Sequence, residues 1–190
     1  QQSLTLSVLH MGGDTQTYTL KMNVTALPDS DGEDAAGIKD ASLQQAVCKK
    51  LNITDYTSHV ITKDEMASLT GSLGVYNANS LEGLQYATQL TQLTAYGTFK
   101  TVPNLGSSIK TLTLKSSYCK ELPDLSKLES LSGLTLTMTN LEKLPAFPNT
   151  LKSLTLWTCK ESFDFSPLKA LPAGSLSLTI QGMSDTSILT

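Results

Sequence analysis

The chain has 190 residues, a formal net charge of −3 and a sequence pI of about 5.3. This charge balance argues against nucleic-acid binding, and no apolar run approaches the length of about 18 residues that a transmembrane helix needs. All 14 basic residues are lysines, so the bidentate recognition of phosphate or carboxylate that arginine provides does not occur in the chain.

Residues 1–38 are predicted to form a β-hairpin followed by an acidic linker. The segments LTLSVLH and TQTYTLKM alternate on either side of MGGD, which is typical of two antiparallel strands joined by a turn. Because an isolated hairpin is marginal in water, we expect it to dock on the following segment or on another part of the protein. The small, acidic stretch PDSDGEDAAGIKD then indicates a loop.

The acidic linker has some features of a calcium loop. Asp29, Asp31, Glu33 and Asp40 stand at positions 1, 3, 5 and 12 of an EF-hand count. However, Asp34 occupies the position where the sharp turn needs glycine, and Asp40 is better placed to begin a helix. We therefore favour a solvated linker, and we predict no metal site and no cofactor.

Residues 39–69 are predicted to form a helical N-terminal cap. The apolar residues of DASLQQAVCKKL recur with helical spacing: Leu43, Ala46, Val47 and Leu51. Asp40 is the expected N-cap, and in TKDEMASL the residues Thr62 and Glu65 have the spacing of a capping box. Helices at this place would cover the apolar end of a stack of repeats.

Residues 70–190 contain about six copies of the pattern L-x-x-L-x-L. The copies begin at Thr70, Leu90, Ile109, Leu131, Leu151 and Ala173, in steps of 20, 19, 22, 20 and 22 residues. This is the period of leucine-rich repeats, in which each unit is one short strand and a return segment. The sequence therefore predicts an α/β fold, a right-handed leucine-rich-repeat solenoid. No C-terminal cap is visible before Thr190, so we expect the chain to continue.

The return segments between the strands contain proline. They include VPNL at 102–105, LPDL at 122–125, LPAF at 144–147 and SPL at 166–168. Because proline lacks a backbone N–H, these segments are predicted to be irregular or short 3₁₀ turns whose apolar residues face inward. Thr98, Ser117, Thr139 and Cys159 replace the usual turn asparagine, and Asn140 follows one residue late, so we expect hydroxyls or water to satisfy some turn backbone groups.

The cap and first repeats resemble a known family. The stretches DASLQQAVCKKL, ITKDEMASLTGSL and SLEGLQYATQLTQL are similar to the corresponding region of internalin-like leucine-rich-repeat proteins of bacteria. The resemblance covers residues 39–100 in detail and the remaining repeats in outline. It implies a secreted or surface-attached recognition module whose relatives bind host proteins through the concave sheet.

Two columns of side chains are predicted to face outward from the sheet, because strand residues alternate between faces. The first column is Gly74, Thr94, Thr113, Thr135, Thr155 and Ser177, and the second is Tyr76, Tyr96, Lys115, Thr137, Trp157 and Thr179. Lys110, Lys115 and Lys152 supply the charge of this face. The threonines fit ordinary cross-strand pairing, whereas Tyr96 and Trp157 are the stronger candidates for ligand contact. Tyr76 ranks below them because it lies beside the cap.

Catalytic chemistry finds little support in the sequence. Neither His10 nor His59 accompanies a nucleophile or carboxylate at a recognisable spacing, and no phosphate-binding glycine loop is present. Cys119 and Cys159 lie two repeats apart, roughly 10 Å, which is too far for a disulfide, so buried thiols are expected there and at Cys48. The chain is predicted not to be an enzyme.

The function predicted from these features is extracellular recognition of a protein partner, with the chain secreted or attached to the cell surface. The residues proposed for contact are Tyr76, Thr94, Tyr96, Thr113, Lys115, Thr135, Thr137, Lys152, Thr155 and Trp157. One alternative is glycan binding on the same face, since aromatics with hydroxyls and lysine also suit sugars. A second alternative is a structural spacer within a longer surface protein, which would have no ligand on this segment.

Overall fold

A computed structural model describes residues 2–9, 15–22, 34–157, 164–172, 174 and 176–182. At the N-terminus, strand β1 (Gln2–Leu9) pairs with strand β2 (Thr15–Met22) in antiparallel orientation. This pairing confirms the predicted hairpin. Where the hairpin docks stays a prediction.

The larger sheet has six parallel strands in the described part of the chain, arranged in sequence order. They are β3 (Gly71–Ala78), β4 (Leu90–Gly97), β5 (Thr111–Ser116), β6 (Gly133–Thr137), β7 (Ser153–Trp157) and β8 (Ser177–Gln181). Each strand pairs with the strand of the next repeat, and the chain returns between them through a largely irregular segment. This arrangement confirms the parallel leucine-rich-repeat solenoid.

Two rows of side chains in register run across the sheet, and they face the core in β3 to β7, whereas Leu178 in β8 is 36% exposed. The first row is Leu73, Leu93, Leu112, Leu134, Leu154 and Leu178, and the second is Val75, Ala95, Leu114, Leu136, Leu156 and Ile180. In β3 to β7 every member of both rows is buried. Because a buried leucine contributes about 1.5–3 kcal/mol by leaving water, these rows are a main source of stability.

The last repeat departs from the predicted alignment by two residues. The sequence pattern places Leu176 beside Leu154, whereas the structure pairs Leu154 with Leu178. A shift of two residues leaves the same side chains on the same face of a strand, so alternation alone does not choose between the two registers. As a result Thr179 ends the first outward column in place of Ser177, and Gln181 ends the second in place of Thr179.

Two helices precede the sheet at the predicted places. Helix α1 (Ala41–Lys50) lies against β3, and its residues Leu43, Val47 and Cys48 belong to the same continuous core as the sheet. Helix α2 (Lys63–Ala67) begins with the predicted capping box of Thr62 and Glu65. The boundaries of a separate cap domain stay a prediction.

Asp40 joins α1 to the sheet. One carboxylate oxygen accepts from the Leu43 amide at 2.8 Å and caps the helix, as predicted, while the other accepts from the Asn79 amide at 2.7 Å. The residue is 7% exposed, so both bonds form in a place with little water. Hydrogen bonds to charged groups in such surroundings are stronger than neutral ones.

The described parts of the return segments are irregular, apart from short 3₁₀ helices at Leu84–Tyr86 and Ser166–Ala170. Their apolar side chains are buried as predicted, among them Val102, Leu125, Leu144 and Phe147. This inward packing closes the side of the solenoid opposite the sheet.

A hydroxyl also satisfies turn backbone groups, but it belongs to a different residue from those predicted. The buried Ser116 Oγ donates to the Phe99 carbonyl at 2.7 Å and accepts from the Tyr118 amide at 3.2 Å. Asn140, which follows the turn position by one residue, donates to the Ser117 carbonyl at 2.5 Å. Adjacent turns are thus tied together without a regular asparagine ladder.

Candidate functional site

The outward face of the sheet consists of the strand residues that point away from the core. Its first column is Gly74, Thr94, Thr113, Thr135, Thr155 and Thr179, and its second column is Tyr76, Tyr96, Lys115, Thr137, Trp157 and Gln181. The threonines of β4 to β7 are half-buried between their neighbours. The large side chains of the second column stand clear of them and dominate what a ligand would meet.

Three residues of the second column form a contiguous cluster on adjacent strands. The rings of Tyr76 and Tyr96 meet edge to face, with centroids 5.4 Å apart and planes at 80°. Lys115 Nζ lies 6.0 Å from the centroid of the Tyr96 ring, which is the outer limit of a cation–π contact. These contacts hold the exposed rings in place before any ligand arrives.

Exposure of the aromatics differs from the expected ranking. Tyr76 is 58% exposed, more than Trp157 at 43% and Tyr96 at 37%. Helix α1 lies beside β3 without covering the Tyr76 ring. Tyr76 therefore belongs with the other two as an accessible aromatic residue.

The charge of the outward face is sparse and positive. The described strands β3 to β8 contain no aspartate or glutamate, and Lys115 is their one charged residue. Lys110 and Lys152 are exposed and lie immediately before β5 and β7. Side chains alternate between the two faces of a strand, and Lys152 does not share the alternation of the outward residues Ser153, Thr155 and Trp157. Lys152 therefore lies at the margin of the outward face, where the strands begin.

A β-bulge shapes the end of the face beside Tyr96. Asn77 has a φ of 62°, and the pairing of β3 with β4 shifts register between Tyr76 and Ala78. Just beyond the bulge, the Thr98 hydroxyl donates to Asn79 Oδ1 at 2.6 Å. A groove of about 490 Å³ runs here, lined by Asn77, Asn79, Tyr96, Thr98, Lys115 and Ser117 among others.

Two exposed aromatics were missed by sequence reasoning. Tyr118 is 56% exposed and lies two residues beyond β5, and Tyr56 is 44% exposed in the loop between α1 and α2. Neither residue falls on a periodic position, so the repeat pattern contains no signal for them. Of these two residues, only Tyr118 lies next to a strand end, so a search for tyrosines at strand ends would have found Tyr118 but not Tyr56.

The titratable groups near α2 form hydrogen bonds that hold the local structure together. His59 Nε2 lies 3.0 Å and 3.1 Å from the two Glu65 oxygens, and the Thr62 amide donates to Glu65 Oε2 at 2.9 Å. Partial burial raises the pKa of Glu65, but the Thr62 amide and His59 together outweigh it and hold the pKa below its ordinary value of 4.5. His59 is thus a satisfied histidine. His10 lies outside the described residues.

The thiols of Cys48 and Cys119 are free and buried, as predicted. Burial raises the pKa of both thiols, which disfavours the reactive thiolate. Cys119 Sγ donates to the Glu121 carbonyl at 3.1 Å. Cys159 lies outside the described residues.

No group of three or more metal-ligating side chains occurs in the part of the chain that the structure describes. Of the four residues in the calcium hypothesis, Asp29, Asp31 and Glu33 lie outside that part, and Asp40 is used by two backbone amides. None of the described helices has the length and apolar character needed to cross a lipid bilayer.

The parallel strand of each repeat, the two inward leucine rows and the irregular return segments define a leucine-rich-repeat solenoid. Neither a protein-family model nor a curated protein sequence matches the chain. The chain is similar to the solved internalin inlF of Listeria monocytogenes strain 4b F2365, with 21% identity and a TM-score of 0.48, over 79% of this chain and 52% of that one. It is also similar to internalin C2 of the same strain, with 18% identity and a TM-score of 0.30, over 74% of this chain and 93% of that one.

The present chain thus spans about half the length of the internalin inlF chain. Identity and TM-score are low for both structures, so the fold assignment rests on the repeat geometry itself.

Proposed function

We propose that the chain is a non-catalytic recognition module that binds a protein partner through the outward face of its sheet. The observation that carries this proposal is the exposure of Tyr96 and Trp157 on a sheet without carboxylates. Exposed aromatics of this kind bury large areas when a partner arrives and are enriched among the residues that dominate binding energy. The extracellular location is proposed from the resemblance of residues 39–100 to internalin-like proteins.

The spacing of the aromatics favours a macromolecular partner over a small one. Tyr76 on β3 and Trp157 on β7 are separated by four strand spacings, or about 19 Å. One small molecule does not contact both ends of such a row. A folded protein does, and a partner that presents carboxylates to Lys115 would also complement the charge of the face.

The outward face of the sheet is smaller than a standard protein–protein interface. Six strands of 8, 8, 6, 5, 5 and 5 residues, at about 3.3 Å per residue and about 4.8 Å between strands, give a projected area of about 600 Å². A standard interface buries about 800 Å² on each partner. The partner is therefore expected to reach beyond the sheet onto the turns after the strands, where Tyr118 is exposed.

The test is binding of the labelled chain to epithelial cells, with and without prior trypsin treatment of the cells. We expect binding that trypsin abolishes and that a Tyr96→Ala, Trp157→Ala double variant loses at least tenfold. A Lys127→Ala, Glu129→Ala variant in a return segment is the matched control and should bind like wild type. Absence of binding by the wild type would favour the spacer, and trypsin-resistant binding would argue against a protein partner.

A further inference from the structure

A cleft, distinct from the groove beside Tyr96, lies between helix α1 and strand β3 at the margin of the outward face. Its volume is about 650 Å³, within the range of about 300–1,000 Å³ that is typical of small-ligand sites. Tyr56, from the loop after α1, and Tyr76, from β3, both line it and are both exposed. Apart from Tyr76, none of the residues that line this cleft is among those proposed for protein contact.

Gly74 in this cleft interrupts the first outward column. The five other strands all carry threonine at this register, at positions 94, 113, 135, 155 and 179. Threonine suits a strand, whereas glycine in a strand interior costs about 0.5–1 kcal/mol and often marks a place where a ligand approaches the backbone. A Cβ at residue 74 would meet Cε2 and the hydroxyl oxygen of Tyr76 at 3.3 Å, so the glycine makes room for the Tyr76 ring above the strand.

The lining of the cleft combines aromatic surface with many hydrogen-bonding groups. Those groups belong to Ser42, Gln45, Lys49, Thr54 and Asn77. The lining contains one cation and no carboxylate, and none of the ion pairs between described residues involves Lys49. The amides and hydroxyls both donate and accept hydrogen bonds, and the tyrosine rings present flat apolar surfaces.

A sugar ring matches this lining better than an apolar ligand does. Its C–H face packs on an aromatic ring, and its hydroxyls, one on almost every carbon, require a high density of donors and acceptors such as Gln45 and Asn77 supply. An unpaired lysine in a lining without acids favours a ligand that carries negative charge. We propose that the cleft between α1 and β3 binds an acidic oligosaccharide, with Tyr56 and Tyr76 holding sugar rings and Lys49 facing a carboxylate or sulfate.

The test uses the full chain and three hexasaccharides as probes, namely heparin, hyaluronan and neutral cellulose fragments, with binding measured by calorimetry. We expect at least one acidic hexasaccharide to bind, and cellohexaose to bind at least tenfold more weakly. Tyr56→Ala and Lys49→Gln should each weaken the acidic ligand by at least tenfold. Tyr118→Ala, which removes an exposed tyrosine outside the cleft, should leave binding unchanged.

The decisive variant is Gly74→Thr, which restores the residue that the other five strands carry. It should still fold, yet lose binding of the acidic hexasaccharide at least tenfold, because the new side chain fills the space above the backbone of residue 74 and displaces the Tyr76 ring. Thr113→Val, which alters the same column two strands away, should bind normally. Failure of every probe to bind, equal binding of cellohexaose, or normal binding by a folded Gly74→Thr variant would each overturn the proposal.

The proposal that the sheet recognises a protein and the proposal that the cleft binds a sugar can be refuted independently of each other. Loss of the Trp157 side chain should leave the hexasaccharide affinity unchanged, because Trp157 does not line the cleft and lies four strands away from Tyr76. A Trp157→Ala variant that also lost the sugar would show that the proposed ligand lies on the sheet, and this outcome would overturn the assignment to the cleft.

Discussion

Replacement of Gly97 by alanine tests how the end of β4 packs against the bulge in β3. A Cβ built on Gly97 would lie 1.9 Å from the Ala78 carbonyl oxygen and 2.6 Å from the Ala78 nitrogen. These are backbone atoms of the neighbouring strand, so no side-chain rotation relieves the contact. β3 and β4 have to move apart at the bulge.

The magnitude follows from the contacts that such a movement breaks. The Thr98 amide donates to the same Ala78 carbonyl at 2.8 Å, and the loss of a hydrogen bond of this kind costs about 1 kcal/mol. Overpacking at a rigid site costs a further 1–3 kcal/mol, approximately. Gly97→Ala is therefore expected to lower the free energy of unfolding by about 2–4 kcal/mol.

The assay is urea unfolding followed by far-UV circular dichroism, with Gly133→Ala as the matched control. A Cβ on Gly133 would meet only the Thr111 side chain, at 3.8 Å or more, which is an ordinary contact. The control variant should be as stable as wild type, or more stable by about 0.5 kcal/mol because glycine has more freedom to lose on folding. If Gly97→Ala unfolded within about 0.5 kcal/mol of wild type, the described approach of the two strands would be wrong.

Four further outcomes are expected. Asp40→Ala should lower the free energy of unfolding by about 2–4 kcal/mol in urea, because it removes a helix cap and a second bond to a charged oxygen. Ser116→Ala should cost about 1–3 kcal/mol in the same assay, because it leaves two turn backbone groups without their partner. Folding lowers the pKa of Glu65 below its ordinary value of 4.5, so the carboxylate stabilises the folded chain above that pH and stabilises it less as the pH falls. Glu65→Gln should therefore reduce the loss of stability between about pH 5 and 3, as measured by urea unfolding at each pH. Iodoacetamide should alkylate Cys119 at least about 100-fold more slowly in the native chain than in 6 M urea, as followed by peptide mass spectrometry.

Each of these four predictions can be contradicted by a specific result. Glu129→Ala, in an exposed part of a return segment, is the control for the two stability variants and should stay within about 0.5 kcal/mol of wild type. An Asp40 or Ser116 variant as stable as that control would show that the bonds described for these residues contribute nothing. An unchanged pH profile in Glu65→Gln, or equally fast alkylation of native and unfolded Cys119, would contradict the surroundings described for those side chains.

Much of the fold follows from local patterns in the sequence. The recurrence of leucines gives the strands and their order, because a repeat cannot bury its apolar side chains except against its neighbours. Asp40 at a helix start and the Thr62–Glu65 spacing predict caps that the structure confirms. In each case the information lies within a few residues of chain.

The errors have equally physical causes. The sequence pattern misaligns the last repeat because residues 176–181 alternate in a way that satisfies two registers, and pairing with β7 decides between them. The exposure of Tyr76 depends on how α1 is oriented against β3, and the cleft arises because residues 42–56 come to lie beside residues 74–77. Such contacts between distant segments are set by tertiary packing, which a single repeat pattern does not encode.

The most direct test of the recognition proposal is photo-crosslinking from the outward face. Thr137→p-benzoylphenylalanine places the reactive group in the second column on β6, on the strand adjacent to Trp157, and Glu129→p-benzoylphenylalanine places it on a return segment. After incubation with epithelial cells and irradiation, we expect a protein adduct from position 137 and none from position 129. Adducts only from position 129, or none from position 137 while the chain is bound to cells, would contradict binding of a protein through this face.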